Sequence, residues 1–109
     1  MKTLKFIVND KNITKHPECD FSGLFPGSDK RVKVEFTFSP DWEGHVKVVG
    51  FWSQMDYEYP PQELDEDNSC MIPSEALTKA TFKMRVFGKK HGFKLKTNPI
   101  TIYQNGGKR

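Results

Sequence analysis

Long apolar runs are missing from this chain of 109 residues. No stretch approaches the roughly 20 apolar residues that a membrane-spanning helix needs. The N-terminal stretch, residues 1–8, has a basic start, but Asn9, Asp10 and Lys11 end its apolar run too early for a signal peptide. We therefore expect a soluble protein that is made inside a cell, and the chain length corresponds to one domain.

Cysteine is also scarce, and its spacing argues against disulfide and metal chemistry. Cys19 and Cys70 are the only two cysteines, and without a secretion signal we expect both to be free thiols. His16 precedes Cys19 by three residues, so these side chains could join Cys70 and a second histidine in a four-ligand zinc site. Three of the four ligands would have to converge through the fold alone. We therefore expect no metal site and no cofactor.

Catalytic motifs are missing as well. The chain has no Gly-x-Ser-x-Gly elbow and no glycine-rich phosphate loop, and residues 88–92 contain two lysines but no following helix. Carboxylates are concentrated in residues 65–67, where we expect full solvation instead of the burial that a general acid requires. The sequence therefore predicts a protein that is not an enzyme.

Alternation of apolar and polar residues is the strongest pattern present. In residues 32–38, valine and phenylalanine fall on one side of a strand and Lys33, Glu35 and Thr37 on the other. Turn residues at 39–44 precede a second β-branched and aromatic run, residues 45–52. We expect these two runs to form the central antiparallel pair, with Trp52 in the core.

Further strand patterns follow the same alternation. Strands are predicted over residues 3–8, 55–59, 69–72, 80–87, 93–96 and 100–103, with Pro60 and Pro61 ending one of them. Phe93 and Leu95 are expected to face the core, and the glycines of residues 88–92 are expected to form a hairpin loop. Residues 73–77 suggest one helical turn, and three side chains of the irregular stretch at 13–30 are expected to anchor it: Phe21, Leu24 and Phe25.

These patterns predict an all-β fold. Aromatic residues make up 13% of the chain, and a few large apolar side chains suit a thin two-layer core. The expected architecture is a small antiparallel β-sandwich, immunoglobulin-like, with six to seven strands and at most one short helical turn. Residues 1–104 form the single domain in this interpretation, and residues 105–109 form a flexible C-terminal tail.

The net charge of +3 conceals a strong segregation of charge along the chain. Residues 51–77 contain seven acids and no lysine or arginine, whereas residues 78–109 contain nine bases and no acid. Such segregation can create two oppositely charged surfaces that orient a charged partner. Alternatively, the acidic loop folds over the basic strands and neutralises them.

Two candidate partner-binding surfaces follow from this segregation. Tyrosines next to carboxylates are typical of a recognition edge, and lysines on the outer face of a two-stranded ribbon can contact phosphates. Nucleic acid is nevertheless a secondary partner, because most aromatic side chains fall on the predicted inner face; the lysines could instead protect a sheet edge from aggregation. The acidic and aromatic loop comprises Asp56, Tyr57, Glu58, Tyr59, Glu63, Asp65, Glu66 and Asp67, and the basic ribbon comprises Lys83, Arg85, Lys89, Lys90, Lys94 and Lys96.

Several motifs occur together in a characteristic order. An aromatic strand ends in Asp-Trp-Glu-Gly (residues 41–44), an Ile-Pro-Ser-Glu corner follows at 72–75, Phe-Gly at 87–88, and Thr-Asn-Pro begins the last strand at 97–99. From about Leu4 to Tyr103 the chain resembles small immunoglobulin-like modules encoded by phages and prophages of Gram-positive bacteria, found at the start of baseplate or tail proteins.

The resemblance implies structural roles for its motif residues and no catalytic site. Trp42 would close one end of the sandwich, Pro73 and Glu75 would form a corner, and Asn98 would tie the last strand. The chain differs from many relatives because it ends with the module and because its loop at 55–67 is long and acidic.

The expected function is therefore that of a non-enzymatic, phage-type protein-binding module, a small virion-associated or baseplate-associated component. The alternative is a phage-encoded inhibitor of a host defence nuclease, of the anti-CRISPR type, acting through its charged surfaces. The expected partner is a phage tail protein or a host nuclease, and self-association would accompany a structural role. The expected location is the cytoplasm of a bacterial host or the virion, and no membrane is involved.

Overall fold

Alternating apolar residues form most of the strands in the computed structural model, which describes residues 2–24, 26 and 31–104. Within these residues there are nine strands and two short 3-10 helices, Pro40–Trp42 and Ala76–Thr78. The strands are β1 (Lys2–Asn9), β2 (Asn12–Lys15), β3 (Val32–Phe38), β4 (Val46–Trp52), β5 (Glu58–Glu63), β6 (Ser69–Met71), β7 (Thr81–Lys90), β8 (Phe93–Lys96) and β9 (Ile100–Tyr103).

The strands form two sheets that enclose one core, so the predicted all-β sandwich is confirmed. Sheet A has the order β2-β1-β3-β6, and sheet B has the order β5-β4-β7, with β8 and β9 both pairing with the far side of β7. The chain crosses from β3 to β4, back from β5 to β6, and again to β7. This distribution corresponds to the immunoglobulin arrangement, in which strands B and E face strands C, F and G.

The sheets differ in detail from the predicted pattern. β1 runs parallel to β3, with Leu4 opposite Val34, whereas every other pairing among the described residues is antiparallel. The described chain has nine strands and two helical turns, more than the six to seven strands and single turn expected. β2 was missed because Ile13 is the one buried residue in it, which leaves no alternation to detect.

The predicted pairing of residues 32–38 with residues 45–52 is wrong. β3 pairs with β1 and β6 in sheet A, and β4 pairs with β5 and β7 in sheet B. The segment between them contains the first 3-10 helix and crosses from one sheet to the other. Alternation within each strand identifies its buried face, but it is equally compatible with a hairpin and with two facing sheets.

The core lies between the inner faces of the sheets. The expected alternation is confirmed in β1, β3 and β7, where Phe82, Met84 and Val86 are fully buried. Phe21 and Leu24 pack against the core as expected, and Phe21 meets the ring of Phe6 at 5.3 Å. Phe25 and the tail at 105–109 lie outside the described residues.

Trp42 closes one end of the sandwich. Its side chain is fully buried, and its indole N–H donates to the carbonyl oxygen of Asp10 at 2.7 Å. The ring lies so close to β7 that a Cβ on Gly88 would stand 2.6 Å from Trp42 Cζ3. Gly88 therefore provides space inside a strand, and its predicted place in a hairpin loop is wrong.

The turn between β7 and β8 is shorter than predicted. β7 extends to Lys90, and the turn consists of His91 (φ 46°) and Gly92 (φ 87°). Positive φ at both central residues is the signature of a two-residue hairpin turn. Phe93, expected to face the core, is 73% exposed because it lies opposite Lys90, beyond the last buried position of β7.

Two polar side chains tie the ends of the fold together. Asn98 Oδ1 accepts from the N–H of Ile13 at 3.0 Å, and the Asn98 N–H donates to the carbonyl oxygen of Lys11 at 2.9 Å. These bonds join β2 of sheet A to the segment between β8 and β9 of sheet B. Gln104 is buried, and its Nε2 donates to the carbonyl oxygens of Leu77 and Lys79 at the end of the second 3-10 helix.

Cys19 and Cys70 are both free thiols, and the backbone N–H of Lys5 donates to Cys19 Sγ at 3.3 Å. Within the part of the chain that the structure describes, no helix has the length and apolarity needed to cross a membrane.

Candidate protein-binding surface

The outer face of sheet B carries an exposed apolar strip. The register between β4 and β7 places Val46 opposite Lys89 and Val48 opposite Phe87. Directly opposed residues of an antiparallel pair point to the same side of the sheet, so these four side chains share the outer face. Val46 is 56% exposed, and Val48 and Phe87 are half-buried. We call Val46, Val48, Trp52 and Phe87 the apolar strip.

Trp52 belongs to this strip, so the prediction that it lies in the core is wrong. Its neighbour Phe51 takes the inner position of β4 and is fully buried. Trp52 instead packs edge-on against Phe87, with ring centroids 6.1 Å apart. Both rings lie over Gly50, where a Cβ would stand 2.7 Å from Trp52 Cη2 and 3.0 Å from Phe87 Cε2. A glycine in β4 thus leaves room for both aromatic rings above this position of the sheet.

A basic border lies along one side of the strip. β8 pairs Lys94 with Lys89 and Lys96 with Phe87, so the three lysines project from the outer face. None of them has an ion-pair partner among the described residues. Because Lys89 and Lys94 are directly opposed, their like charges repel each other.

A groove of about 1090 Å³ lies between this border and β4. Its apolar lining comes from Val46, Val48, Phe87 and Leu95. Five lysines line it as well, and none of the lining residues that the structure describes is acidic. The lysines are Lys11, Lys89, Lys90, Lys94 and Lys96.

The predicted basic ribbon is only partly assembled on this face. Lys83 Nζ forms an ion pair with Asp56 at 2.7 Å, and Arg85 Nε donates to the carbonyl oxygen of Thr97 at 2.6 Å. Lys90 Nζ donates to the carbonyl oxygen of Glu43 at 3.3 Å. Of the six ribbon residues, Lys89, Lys94 and Lys96 therefore remain available to a partner.

An acidic border lies on the opposite edge of the same sheet. β5 places Glu58 opposite Trp52 and Glu63 opposite Val48, so both carboxylates share the outer face with the strip. Tyr57, just before β5, is 67% exposed. Charge of opposite sign thus borders the two sides of one apolar strip.

Pro60 and Pro61 lie within β5, so the prediction that they end the strand is wrong. They lie opposite Gly50, where the register between β4 and β5 shifts. Proline has no N–H to donate, which an edge strand tolerates. Among the described strands none pairs with the outer edge of β5, so the two prolines also weaken it as a site for adding another strand.

Tyr59 does not belong to the exposed recognition edge that was predicted. It lies opposite Phe51, faces the core and is only 3% exposed. Burial is the main reason that its pKa is raised. Its hydroxyl has no hydrogen-bond partner among the described residues. Of the two tyrosines, Tyr57 is the one that a partner could reach.

Asp65 organises its own loop instead of projecting freely. Its carboxylate accepts from the N–H of Ser69 at 3.1 Å, from the Ser69 hydroxyl, and from the N–H of Asp67 at 2.9 Å. The hydrogen bond from the Ser69 N–H is the largest contribution to the lowered pKa of Asp65. Glu66 and Asp67 remain exposed at the loop tip.

The acidic loop does not cover the basic strands. Asp56 and Lys83 form the one ion pair within residues 2–24, 26 and 31–104, and the two charged borders are separated by β4 and β7. Neutralisation in cis is therefore limited to this pair. The charge segregation in the sequence corresponds to segregation across one face of sheet B.

Several residues of this surface were not found from the sequence. Val46 and Val48 are in phase with Trp52, and only Trp52 was assigned to a face, as a core residue. No sequence pattern indicated that Lys11 belongs to this surface. It lies in the turn between β1 and β2, which only the tertiary structure brings to the groove.

Comparisons with known proteins do not point to a function, so the functional argument rests on this surface. No family model, curated protein or solved structure matches the chain. Among the described residues, no group of three or more histidine, cysteine or acidic side chains could hold a metal ion.

Proposed function

We propose that the chain is a non-enzymatic protein-binding module of the phage type, a small component associated with the virion or baseplate. One observation carries the proposal: a single exposed face of sheet B presents an apolar strip between an acidic and a basic border. Protein interfaces combine an apolar centre with a polar rim of complementary charge. The apolar strip provides surface area to bury against a partner, and the two charged borders orient that partner.

A protein partner fits this face better than a nucleic acid does. Glu58 and Glu63 on the acidic border would repel a phosphate backbone lying across the sheet. A protein surface can present a basic patch to these glutamates and an acidic patch to Lys89 and Lys94. Opposite charges on the two borders also fix the direction in which the partner lies, because the reversed orientation places like charges together.

The experiment is affinity capture with the tagged protein, from the lysate of a Gram-positive host and from purified virions, with bound proteins identified by mass spectrometry. The test variant is Val46→Asn, because Val46 is exposed and its replacement leaves the core intact. The matched control is Met55→Asn, which changes an 89% exposed apolar residue outside the strip. We expect the wild type and the control to retain tail proteins and Val46→Asn to lose affinity by at least about tenfold.

Other outcomes contradict the proposal in distinct ways. Recovery of a host defence nuclease, with no association with virions, would favour the inhibitor function instead. Equal binding by the wild type and Val46→Asn would show that the apolar strip is not the interface. Absence of any saturable partner would refute a binding function in this setting.

A further inference from the structure

The groove beside β8 is the least explained feature of the outer face. It combines an apolar floor with a rim of lysines, and its volume of about 1090 Å³ is at the upper limit of typical small-molecule pockets, roughly 300–1,000 Å³. It is lined by side chains from β4, β7 and β8, which cross three neighbouring strands. A ligand that fills it therefore contacts all three strands.

We propose that this groove binds an extended acidic peptide segment of the partner protein, with its carboxylates on the lysines and its apolar side chains on the floor. This inference deepens the proposed function and rests on it, because it names the chemistry of one part of the interface. The segment lies across β4, β7 and the β8 border, and the acidic border of sheet B remains outside it.

The charge of the groove supports an anionic occupant. Lys89 and Lys94 are directly opposed across β7 and β8, and Lys96 is next along the same face. Held without a counter-charge among the described residues, these ammonium groups repel each other. A carboxylate placed between Lys89 and Lys94 converts this repulsion into two attractive contacts. Lys11 extends the positive rim from the other sheet.

The floor distinguishes a peptide from a nucleic acid. Proteins that bind single strands without sequence preference stack successive bases on several aromatic side chains. Phe87 is the one phenylalanine, tyrosine or tryptophan in the described lining, where His91 is the other side chain with a planar ring, and the Phe87 ring already packs against Trp52. The other apolar side chains of the lining are aliphatic: Val46 and Val48 on the outer face, and Leu95, which lies opposite Gly88 and packs against the core as predicted. Aliphatic surface between lysines suits leucine or valine side chains that alternate with carboxylates.

The test is fluorescence anisotropy with three labelled probes. The first is a peptide of about ten residues in which aspartate and glutamate alternate with leucine. The second replaces each acid by its amide, and the third is a single-stranded DNA of equal charge. We expect the acidic peptide to bind most tightly, with affinity that falls as salt rises. Tighter binding of the DNA, or equal binding of the two peptides, would overturn the proposal.

The matched variants localise the binding. Lys89→Glu/Lys94→Glu should weaken binding of the acidic peptide by at least tenfold. Lys5→Glu/Lys79→Glu makes the same change in net charge on exposed lysines outside the groove and should alter affinity by less than about twofold. Equal losses in the two double variants would mean that only net charge matters and would overturn the proposal. Far-ultraviolet circular dichroism confirms that each variant is folded.

Failure of this inference can be separated from failure of the proposed function. If virion proteins are captured equally by the wild type and by Lys89→Glu/Lys94→Glu, the protein-binding function stands and the acidic-segment inference is wrong. If Val46→Asn leaves capture unchanged as well, the outer face of sheet B is not the interface and both are wrong.

Discussion

Replacement of Gly88 by alanine tests the packing at the end of the sandwich. The Cβ of Gly88→Ala would stand 2.6 Å from Cζ3 and 2.9 Å from Cε3 of Trp42, and 3.3 Å from Cδ2 of His45. Contacts below 3.0 Å require one group to move. Trp42 has little freedom to do so, because its ring is fully buried and its N–H is bonded to the carbonyl oxygen of Asp10.

The size of the effect follows from two opposing contributions. Alanine is favoured over glycine in a strand interior by about 0.5–1 kcal/mol, since glycine loses more backbone entropy on folding. Overpacking of a rigid core site costs about 1–3 kcal/mol, and loss of the indole hydrogen bond adds about 1 kcal/mol. The steric cost therefore prevails, and we expect Gly88→Ala to lower the free energy of unfolding by about 2 kcal/mol.

Urea denaturation followed by tryptophan fluorescence measures this change. With a slope of about 1–3 kcal/mol per molar urea, the midpoint should fall by roughly 0.7–2 M. Gly50→Ala is the matched control: its Cβ meets Trp52, which is half-buried on the outer face and can turn toward solvent, so the loss should be smaller. In a Trp42→Phe background, which lacks Cζ3, Gly88→Ala should cost less than in the wild type. A Gly88→Ala protein as stable as the wild type would refute the reasoning.

Three further predictions concern polar groups. Asn98→Ala should lower the free energy of unfolding by about 1–2 kcal/mol, because the N–H of Ile13 loses its acceptor. Amide hydrogen exchange at Ile13 should accelerate, and unchanged exchange would contradict this prediction. Hydrogen bonding from the Ser69 N–H lowers the pKa of Asp65 below its ordinary 3.8, so the stability it contributes is present above that pH and is lost as the pH falls through the folded-state value. The urea midpoints of the wild type and Asp65→Ala should therefore converge in acid, and a constant difference would disprove the assignment. Burial raises the pKa of Cys70 from 9.0 to about 12, so its contribution to stability is present below 9.0 and is lost as the pH rises toward 12. Iodoacetamide at mildly alkaline pH should label Cys70 only after unfolding, and rapid labelling of the folded protein would show that the thiol is accessible.

The candidate surface shows where sequence patterns mislead. Tyr57 and Tyr59 are two residues apart and were placed on the same exposed edge, yet Tyr59 faces the core. β5 begins at Glu58, so Tyr57 lies before the strand and does not follow its alternation. The start of an edge strand has no marker in the sequence when prolines occur inside it. The prediction therefore rested on residue types alone, and it placed both tyrosines on one surface.

The segregation of charge could be seen in the sequence, but its consequence for the surface of the folded protein could not. Counting acids and bases identified two segments of opposite sign, and it left open whether they neutralise each other. That depends on distance in the fold, since the attraction between exposed charges is weak beyond about 10 Å. The pairing of β4 with β5 on one side and β7 on the other holds the borders apart, and among the described residues Asp56 forms its ion pair with Lys83.

The sequence by itself determined the fold class and the buried face of the main strands. Burial of every second residue is a local property of an extended backbone, so the alternation in β3 and β7 was sufficient. Only the tertiary structure decided which strands pair and which side chains meet. Lys11 and Lys94 line one groove although 83 positions separate them in the chain. Pairing depends on hydrogen bonds and packing between distant segments, and a local pattern contains no information about its partner.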